Sequence, residues 1–345
     1  MSAYLVLENG MIFEGQSFGA TGDVVGEVVF TTGASGYIET LTDPSNHGQI
    51  MVQTFPLIGN YGVISADFES PVATPRAYIT KYPCQAPSNF RSEGDLGTFL
   101  RDQNIIGLHG IDTRQLTKVL REHGTMNGII TTQDPSQVDL NQVKSHQITQ
   151  AIQTVATGKP TIHGQGGKHK VALLDLGVRN STIQQLVARE CEVHTFAHTA
   201  TADEILAINP DGIVLSSGPG NPSAPENQPI IDTIKTLVAK QVPIFGIALG
   251  HQLLALANGY QTEKMLFGNR GSNHPVKDMA TGRVYITSQN HGYHVIGAES
   301  SFVNVNDKTC EGIDYGTNFS VQFNPEAGPR DTLFLFDRFV ERMGK

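Results

Sequence analysis

Two short stretches of the chain have the spacing of a covalent acyl-transfer site. Phe245-Gly246-Ile247-Ala248-Leu249-Gly250-His251-Gln252 sets small residues on both sides of position 248. Gly-x-X-x-Gly between a strand and a helix is the shape of a nucleophile elbow, whose sharp turn exposes the central side chain at a helix N-terminus. The partial positive charge at that end suits a thiolate or an oxyanion. Cys or Ser is expected there, and the chain has Ala248. The second stretch, Asn324-Pro325-Glu326-Ala327, follows the apolar run 319–323. A strand-end His-x-Glu supplies a general base oriented by a carboxylate. Here Asn324 stands at the base position, and Glu326 alone is of the expected type.

Two more stretches bear on the same chemistry. In Ser216-Ser217-Gly218-Pro219-Gly220-Asn221-Pro222 the glycines let backbone N–H groups approach a ligand without Cβ interference. Alone, that stretch favours a plain connecting turn. Gln289-Asn290-His291-Gly292-Tyr293 is expected just after a strand over 284–287. No other residue rescues the missing nucleophile or base. Cys191 is expected at the start of a strand, Cys310 in a loop, and His251 on the elbow helix, where it packs or bonds locally. His291 and His294 have no acidic or cysteine partner at a metal-like spacing, so no metal is expected.

Strands and helices alternate through the C-terminal half and must position these stretches. Strands are expected over 170–176, 191–196, 211–215 and 242–247, with helices over 180–189, 202–208 and within 226–240. Asn180 or Ser181 is the expected cap of the first helix. Such alternation implies right-handed crossovers and a doubly wound, mostly parallel sheet, with ligands beyond the carboxyl ends of its strands. The first 150 residues read instead as β-rich. Asn9-Gly10 between two apolar runs predicts a hairpin with a type I′ turn. Asp112 is expected to cap a helix, with Gln115 completing a capping box, Leu116, Val119 and Leu120 forming its apolar stripe and Gly124 closing it. Breakers over 155–169 suggest a linker, giving domains at 1–154 and 170–345.

Composition narrows the function further. The 345 residues suit two domains, and no run of about 18 apolar residues predicts a membrane span. The N-terminus lacks the pattern of a signal peptide, and Cys84, Cys191 and Cys310 form no disulfide-like set, which together favour a cytoplasmic protein. A net charge of −9 without a basic cluster argues against nucleic acid. Neither a P-loop nor a dinucleotide fingerprint occurs, so ATP chemistry must come from another chain.

In their order, the strand-end glycine loop, the elbow, the 289–293 stretch and the Asn-x-Glu resemble class I glutamine amidotransferases, over about 171–345. The N-terminal stretches Gly26-Glu-Val-Val-Phe-Thr-Thr-Gly33, Gly36-Tyr-Ile-Glu-Thr-Leu-Thr-Asp-Pro44, Gly59-Asn60 and Gly110-Ile-Asp-Thr-Arg114 resemble the N-terminal domain of carbamoyl-phosphate synthetase small subunits. By that resemblance Ser45, Gly218, Gly220, Leu249, Gln252, Asn290, Gly292 and Tyr293 fall where the family holds L-glutamine. The N–H groups of Gly218 or Gly220 and of Leu249 would form the oxyanion hole. The resemblance also implies a heteromer. The family's small subunit releases ammonia from glutamine, and a large subunit with ATP and Mg joins it to bicarbonate for arginine or pyrimidine biosynthesis. No cofactor is expected in this chain.

Ala248 has no nucleophilic atom, and Asn324 does not titrate near neutral pH. Losses of this kind cost about 10⁴ to 10⁶ in rate, so a silent glutaminase is expected. Small, shape-preserving residues at both positions look chosen and fit deliberate inactivation, the alternative being a natural paralogue that lost the chemistry and kept its scaffold. Beside the amidotransferase-subunit reading stand a non-catalytic docking or regulatory subunit of an ammonia-dependent synthetase and a stand-alone glutamine sensor. The N-terminal domain argues against the sensor, which needs only the α/β half.

Overall fold

Period-two alternation builds the N-terminal part of the chain from strands. In the computed structural model, which describes residues 1–344, β1 (Ser2–Leu7) buries Ala3, Leu5 and Leu7 and pairs antiparallel with β2 (Ile12–Gly19). The turn between them differs from the expected type I′. Leu7 N–H donates to Met11 O (2.9 Å) and Gly10 N–H to Leu7 O (2.8 Å), closing a three-residue loop. Only Gly10 has positive φ, at 86°, because Asn9 Oδ1 accepts from Met11 N–H (3.0 Å) and holds Asn9 out of the left-handed region.

The remaining elements of this first unit, Met1–Thr149, follow in order. They are β3 (Val24–Thr31), α1 (Tyr37–Thr42), β4 (Gln49–Gln53), β5 (Leu57–Ile58), β6 (Ala77–Thr80), β7 (Tyr82–Pro83), α2 (Leu96–Asp102), β8 (Ile106–His109), α3 (Thr113–His123), β9 (Met126–Thr131) and α4 (Leu140–Ser145). Seven strands close a barrel in the order β1-β2-β8-β6-β4-β3-β9, and β5 pairs with β7 apart from it. Four neighbours in the barrel, β3, β4, β6 and β8, run parallel. Asp112 caps α3 by accepting from Gln115 N–H (2.9 Å), and Gly124 ends it. The reciprocal half of the expected box, from the Gln115 side chain, does not form.

The second unit begins at Gln150, so the stretch 155–169, expected as a linker, lies within it. Its first elements are α5 (Ala151–Val155) and β10 (Ile162–His163), an edge strand. The breakers there are held by bonds unseen in a single stretch of sequence. Thr157 donates from N–H and hydroxyl to Asp175 Oδ2, and Thr161 N–H to Thr195 Oγ1 (2.8 Å).

Then come β11 (His169–Asp175), α6 (Asn180–Val187), β12 (Cys191–Ala197), α7 (Ala202–Leu206), β13 (Gly212–Leu215), α8 (Gln228–Val238), β14 (Ile244–Ile247), α9 (Leu249–Ala257), β15 (Gln261–Asp278), β16 (Val284–Ile296), β17 (Phe302–Asn304), β18 (Cys310–Asp314), β19 (Phe319–Val321) and α10 (Phe334–Met343). They form one sheet in the order β10-β12-β11-β13-β14-β19-β18-β17-β15-β16. Strands β12, β11, β13, β14 and β19 are parallel, and the sheet continues antiparallel beyond β19. The helix α6 starts after Arg179 with no side-chain cap, so neither Asn180 nor Ser181 plays that part. The stretch 289–293 lies inside β16 rather than after it, because pairing with β15 carries the strand on to Ile296.

Alternate residues of the parallel strands face opposite sides. Val171, Leu173, Val214, Phe245, Ile247 and Val321 pack with α6 and α10, while Ala172, Leu174, Ile213, Leu215 and Ile244 pack with α7, α8 and α9. Both faces are thus covered, which is what near-continuous apolar strands require. Phe245, fully buried, stacks on Phe319 with centroids 4.5 Å apart and meets the edge of Phe336 at 5.6 Å. Phe245→Ala is expected to cost about 3–5 kcal/mol, read as a lower denaturant midpoint at unchanged slope. A loss below about 1 kcal/mol would contradict this packing.

Candidate active site

Every expected reacting position of the second unit lies at the carboxyl end of a parallel strand. Beyond β14 the chain turns into α9 within one residue, Ala248, at φ 51° and ψ −106°. This is a sparsely populated region for a residue with a Cβ and stores about 1–3 kcal/mol. Glycine on either side is a steric requirement. A Cβ on Gly246 would stand 2.8 Å from Gly250 O, and one on Gly250 would stand 2.2 Å from Leu215 O.

Backbone bonds tie the elbow to its neighbours. Ala248 N–H donates to Val321 O (2.9 Å), the end of β19, and Gly250 N–H to Ser216 O (3.0 Å), just past β13. The loop after β13 therefore lies against the start of α9. A Cβ on Gly218 would meet Leu176 O at 2.1 Å and Leu249 Cδ2 at 2.9 Å, and Gly220 has φ 94°. Among the described residues nothing accepts from the N–H groups of Gly218, Gly220 or Leu249. They are available to an oxygen of a ligand, as an oxyanion hole requires.

Asn324 bridges from the end of β19 to β16, its N–H donating to Ser288 O (2.9 Å). Its side chain is buried, and Oδ1 has no hydrogen-bond partner among the described residues. Glu326, also buried, accepts at Oε1 from Thr182 Oγ1 (3.2 Å), with Arg179 Nε 3.5 Å away. Arg179 and Thr182 are functional neighbours that the sequence reading missed. The strand-end rule applied to β11, whose chain runs on through Leu176 and Gly177 to Arg179, was the signal available.

Gln252, one turn into α9, donates from Nε2 to Tyr293 O (2.8 Å) and to Gln322 Oε1 (2.9 Å). That leaves its Oε1 for a ligand. Asn290 lies opposite Arg270 in the β15–β16 ladder, and a Cβ on Gly292 would stand 3.2 Å from Arg270 Nη2. The structure thus brings Gln252 and Tyr293 into direct contact and joins the elbow to both neighbouring strand ends. Ser45 belongs to the first unit, on the turn 44–46, where Asp43 Oδ1 accepts from its N–H (2.9 Å).

The bystanders are inert. His251 is wholly buried, its Nδ1 2.8 Å from Ser320 Oγ; burial, with His291 nearby, pushes it down to about 3. Burial pushes the Cys191 thiol up to about 11 and raises that of Cys310, which stands on β18 rather than in a loop.

Known proteins carry the same pair of units. Residues 5–130 match the family described as carbamoyl-phosphate synthase small chain, CPSase domain, and residues 172–342 match glutamine amidotransferase class-I. The chain is 47% identical to the carbamoyl phosphate synthase small chain of Clostridium perfringens (strain 13 / Type A), over 99% of both proteins. The chain belongs to the carbamoyl phosphate synthase small chain family. Two further members are pyrimidine-specific small chains. That of Bacillus subtilis (strain 168) is 45% identical over 99% of this chain and 96% of its own length. That of Halalkalibacterium halodurans is 45% identical over 99% and 97%. In this small chain the second unit is the glutamine amidotransferase domain, and the barrel unit carries the part special to the family. No helix among the described residues is long and apolar enough to cross a membrane.

The elbow strain is directly measurable. An ordinary buried Ala→Gly change in a helix, such as Ala255→Gly in α9, loses about 1 kcal/mol of propensity and about 0.8 kcal/mol of burial. Ala248→Gly is expected to fall within about 1 kcal/mol of neutral, because relief of the positive φ offsets those losses. Chemical denaturation of the two variants compares them, and equal losses would contradict strain at position 248.

Proposed function

We propose that this small chain keeps a glutamine-binding site and has lost glutaminase chemistry. One observation carries the reading. Ala248 holds the strained elbow at the start of α9, yet offers a methyl group where the attacking atom belongs. The route through a thioester is closed, and Asn324 cannot take up or return the proton that the leaving amine needs. The unoccupied N–H groups of Gly218, Gly220 and Leu249, and Gln252 Oε1, support retained binding of the carboxamide and its neighbouring polar groups.

The partner in this reading is a large synthetase subunit that supplies ATP and Mg chemistry and draws on free ammonia. Glutamine held here without turnover then acts as a regulatory ligand of the pair. Co-purification of the full chain with an ATP-dependent large subunit is the expected result, and a chain that emerges alone from its own cell extract contradicts the pairing.

Titration calorimetry should detect L-glutamine at millimolar concentration or below, with ammonia release at background. No binding would refute the site. Ala248→Cys alone is expected to gain little turnover, since the thiolate favoured by the helix N-terminus has no base to protonate the leaving group. Asn324→His alone gains nothing. The double change should restore ammonia release by several orders of magnitude, a non-additive gain of groups that act as a unit. A folded double variant that binds glutamine and stays at background would show that the active site lies elsewhere.

A further inference from the structure

Residues 150–157 open the second unit and run as a strap over the loop that follows β13. The helix α5 within the strap has five residues, too few to hold its shape without packing. Ala151, Ile152 and Val155 share one face of it. Ile152 is buried in the cluster that contains Leu176, Leu215 and Leu249. A Cβ on Gly220 would stand 2.9 Å from Ala151 Cβ, and one on Gly177 would stand 3.0 Å from Val155 Cγ2. At the start of the strap, Gln150 N–H donates to Glu226 Oε1 (3.1 Å).

One side chain pins the other end. Asp175, buried at the end of β11, accepts on both carboxylate oxygens. Its Oδ1 takes the N–H groups of Gly177 (2.9 Å) and Val178 (3.0 Å), which closes the turn 176–178. Its Oδ2 takes the N–H (3.0 Å) and the hydroxyl (3.1 Å) of Thr157. A turn closed by an aspartate needs one oxygen only, so the second is committed to the strap. The turn also bears on the loop after β13. Leu176 N–H donates to Ser216 Oγ (3.0 Å), whose hydroxyl donates to Ser217 O (2.8 Å). A Cβ on Gly177, at φ 121°, would meet Gly218 Cα at 3.2 Å and Pro219 Cδ at 3.2 Å. The loop 216–220 thus rests on the turn at Gly218 and on α5 at Gly220, and Asp175 joins the two supports.

We propose that Asp175 is a positioning residue that clamps the strap to the turn 176–178 and so fixes the N–H groups of Gly218 and Gly220. The proposal rests on the glutamine-binding reading above and adds what holds that loop in place. Donors aimed at a ligand oxygen work because they are preorganised, so a loop free to shift loses the geometry without losing an atom. Removing the carboxylate leaves the N–H groups of Gly177, Val178 and Thr157 without their acceptor, and such groups move toward water. Both supports of the loop then loosen at once.

The test is calorimetric titration of L-glutamine into the full chain for the parent, Thr157→Val, Asp175→Ala and the double variant. Asp175→Ala frees strap and turn together and should weaken binding about tenfold. Thr157→Val removes the hydroxyl bond and should weaken it about threefold in the parent. In Asp175→Ala the same change should do nothing further, since its partner is already gone. Leu237→Ala is the control. The helix α8 runs from the carboxyl end of β13 to the amino end of β14, which sets buried Leu237 at the opposite ends of the strands. Its cavity lowers stability and should leave affinity unchanged. Parent-like affinity in Asp175→Ala overturns the proposal, as does a full Thr157→Val effect without Asp175. A loss in Leu237→Ala equal to that in Asp175→Ala overturns it too, because binding then follows stability alone. If Asp175→Ala does not fold, Thr157→Val decides, and parent-like affinity there is fatal. If the parent binds no glutamine, the function reading fails and hydrogen exchange of the Gly218 and Gly220 amides decides the clamp. Faster exchange in Thr157→Val than in the parent sustains it, and equal exchange refutes it.

Discussion

A strand that must become a helix within a single residue governs the second unit. The conformation of Ala248 leaves no room for a Cβ at Gly246 or Gly250, and it brings Ser216 O and Val321 O within reach of backbone N–H groups. Three strand ends are thereby pinned together through main-chain atoms. The arrangement does not depend on which side chain sits at 248. That is the physical reason an active-site scaffold can persist with alanine at its centre: the atoms that shape the site are separable from the atom that reacts.

The carboxylate side of the site obeys a similar logic. Glu326 is buried beside Thr182 and Arg179. Removing one member of a buried ion pair typically costs about 3–5 kcal/mol, because the other charge is left without compensation. Glu326 therefore has a structural reason to remain, whatever its chemical duty. Asn324 differs, since its backbone bridges to Ser288 while its side-chain Oδ1 has no hydrogen-bond partner among the described residues. One position is held by the fold and the other is not.

Much of this was legible in the sequence. Apolar runs between breakers marked β11 to β14, and the glycines around 248 marked the elbow, because steric demands on backbone leave a trace in residue type. What escaped depends on distant partners. Nothing local shows that 289–293 stays in a strand, since its partner β15 decides that. The stretch 155–169 looked like a linker because its breakers are held by Asp175 and Thr195, far along the chain. Asn9 kept its usual φ through a bond to Met11 that the Asn-Gly pair does not reveal. Arg179 was overlooked for a different reason: its strand end carried no glycine-rich signature of catalysis, only a charge whose partner lies 147 positions on (326 minus 179).

The barrel of the first unit closes where β1 meets β9, with Tyr4 opposite Thr131 and Leu7 opposite Gly128. A nascent chain emerges at about 5–20 residues per second, so β1 waits on the order of ten seconds for the strand that completes it. Through that interval its hydrogen-bonding edge has only β2 for company, and a two-stranded hairpin is marginal in water. Closure across such a sequence separation is intrinsically slow and leaves the edge open to wrong partners. The vulnerable moment in the life of this protein is therefore its synthesis, before residue 131 has left the ribosome, and chaperone demand should concentrate there.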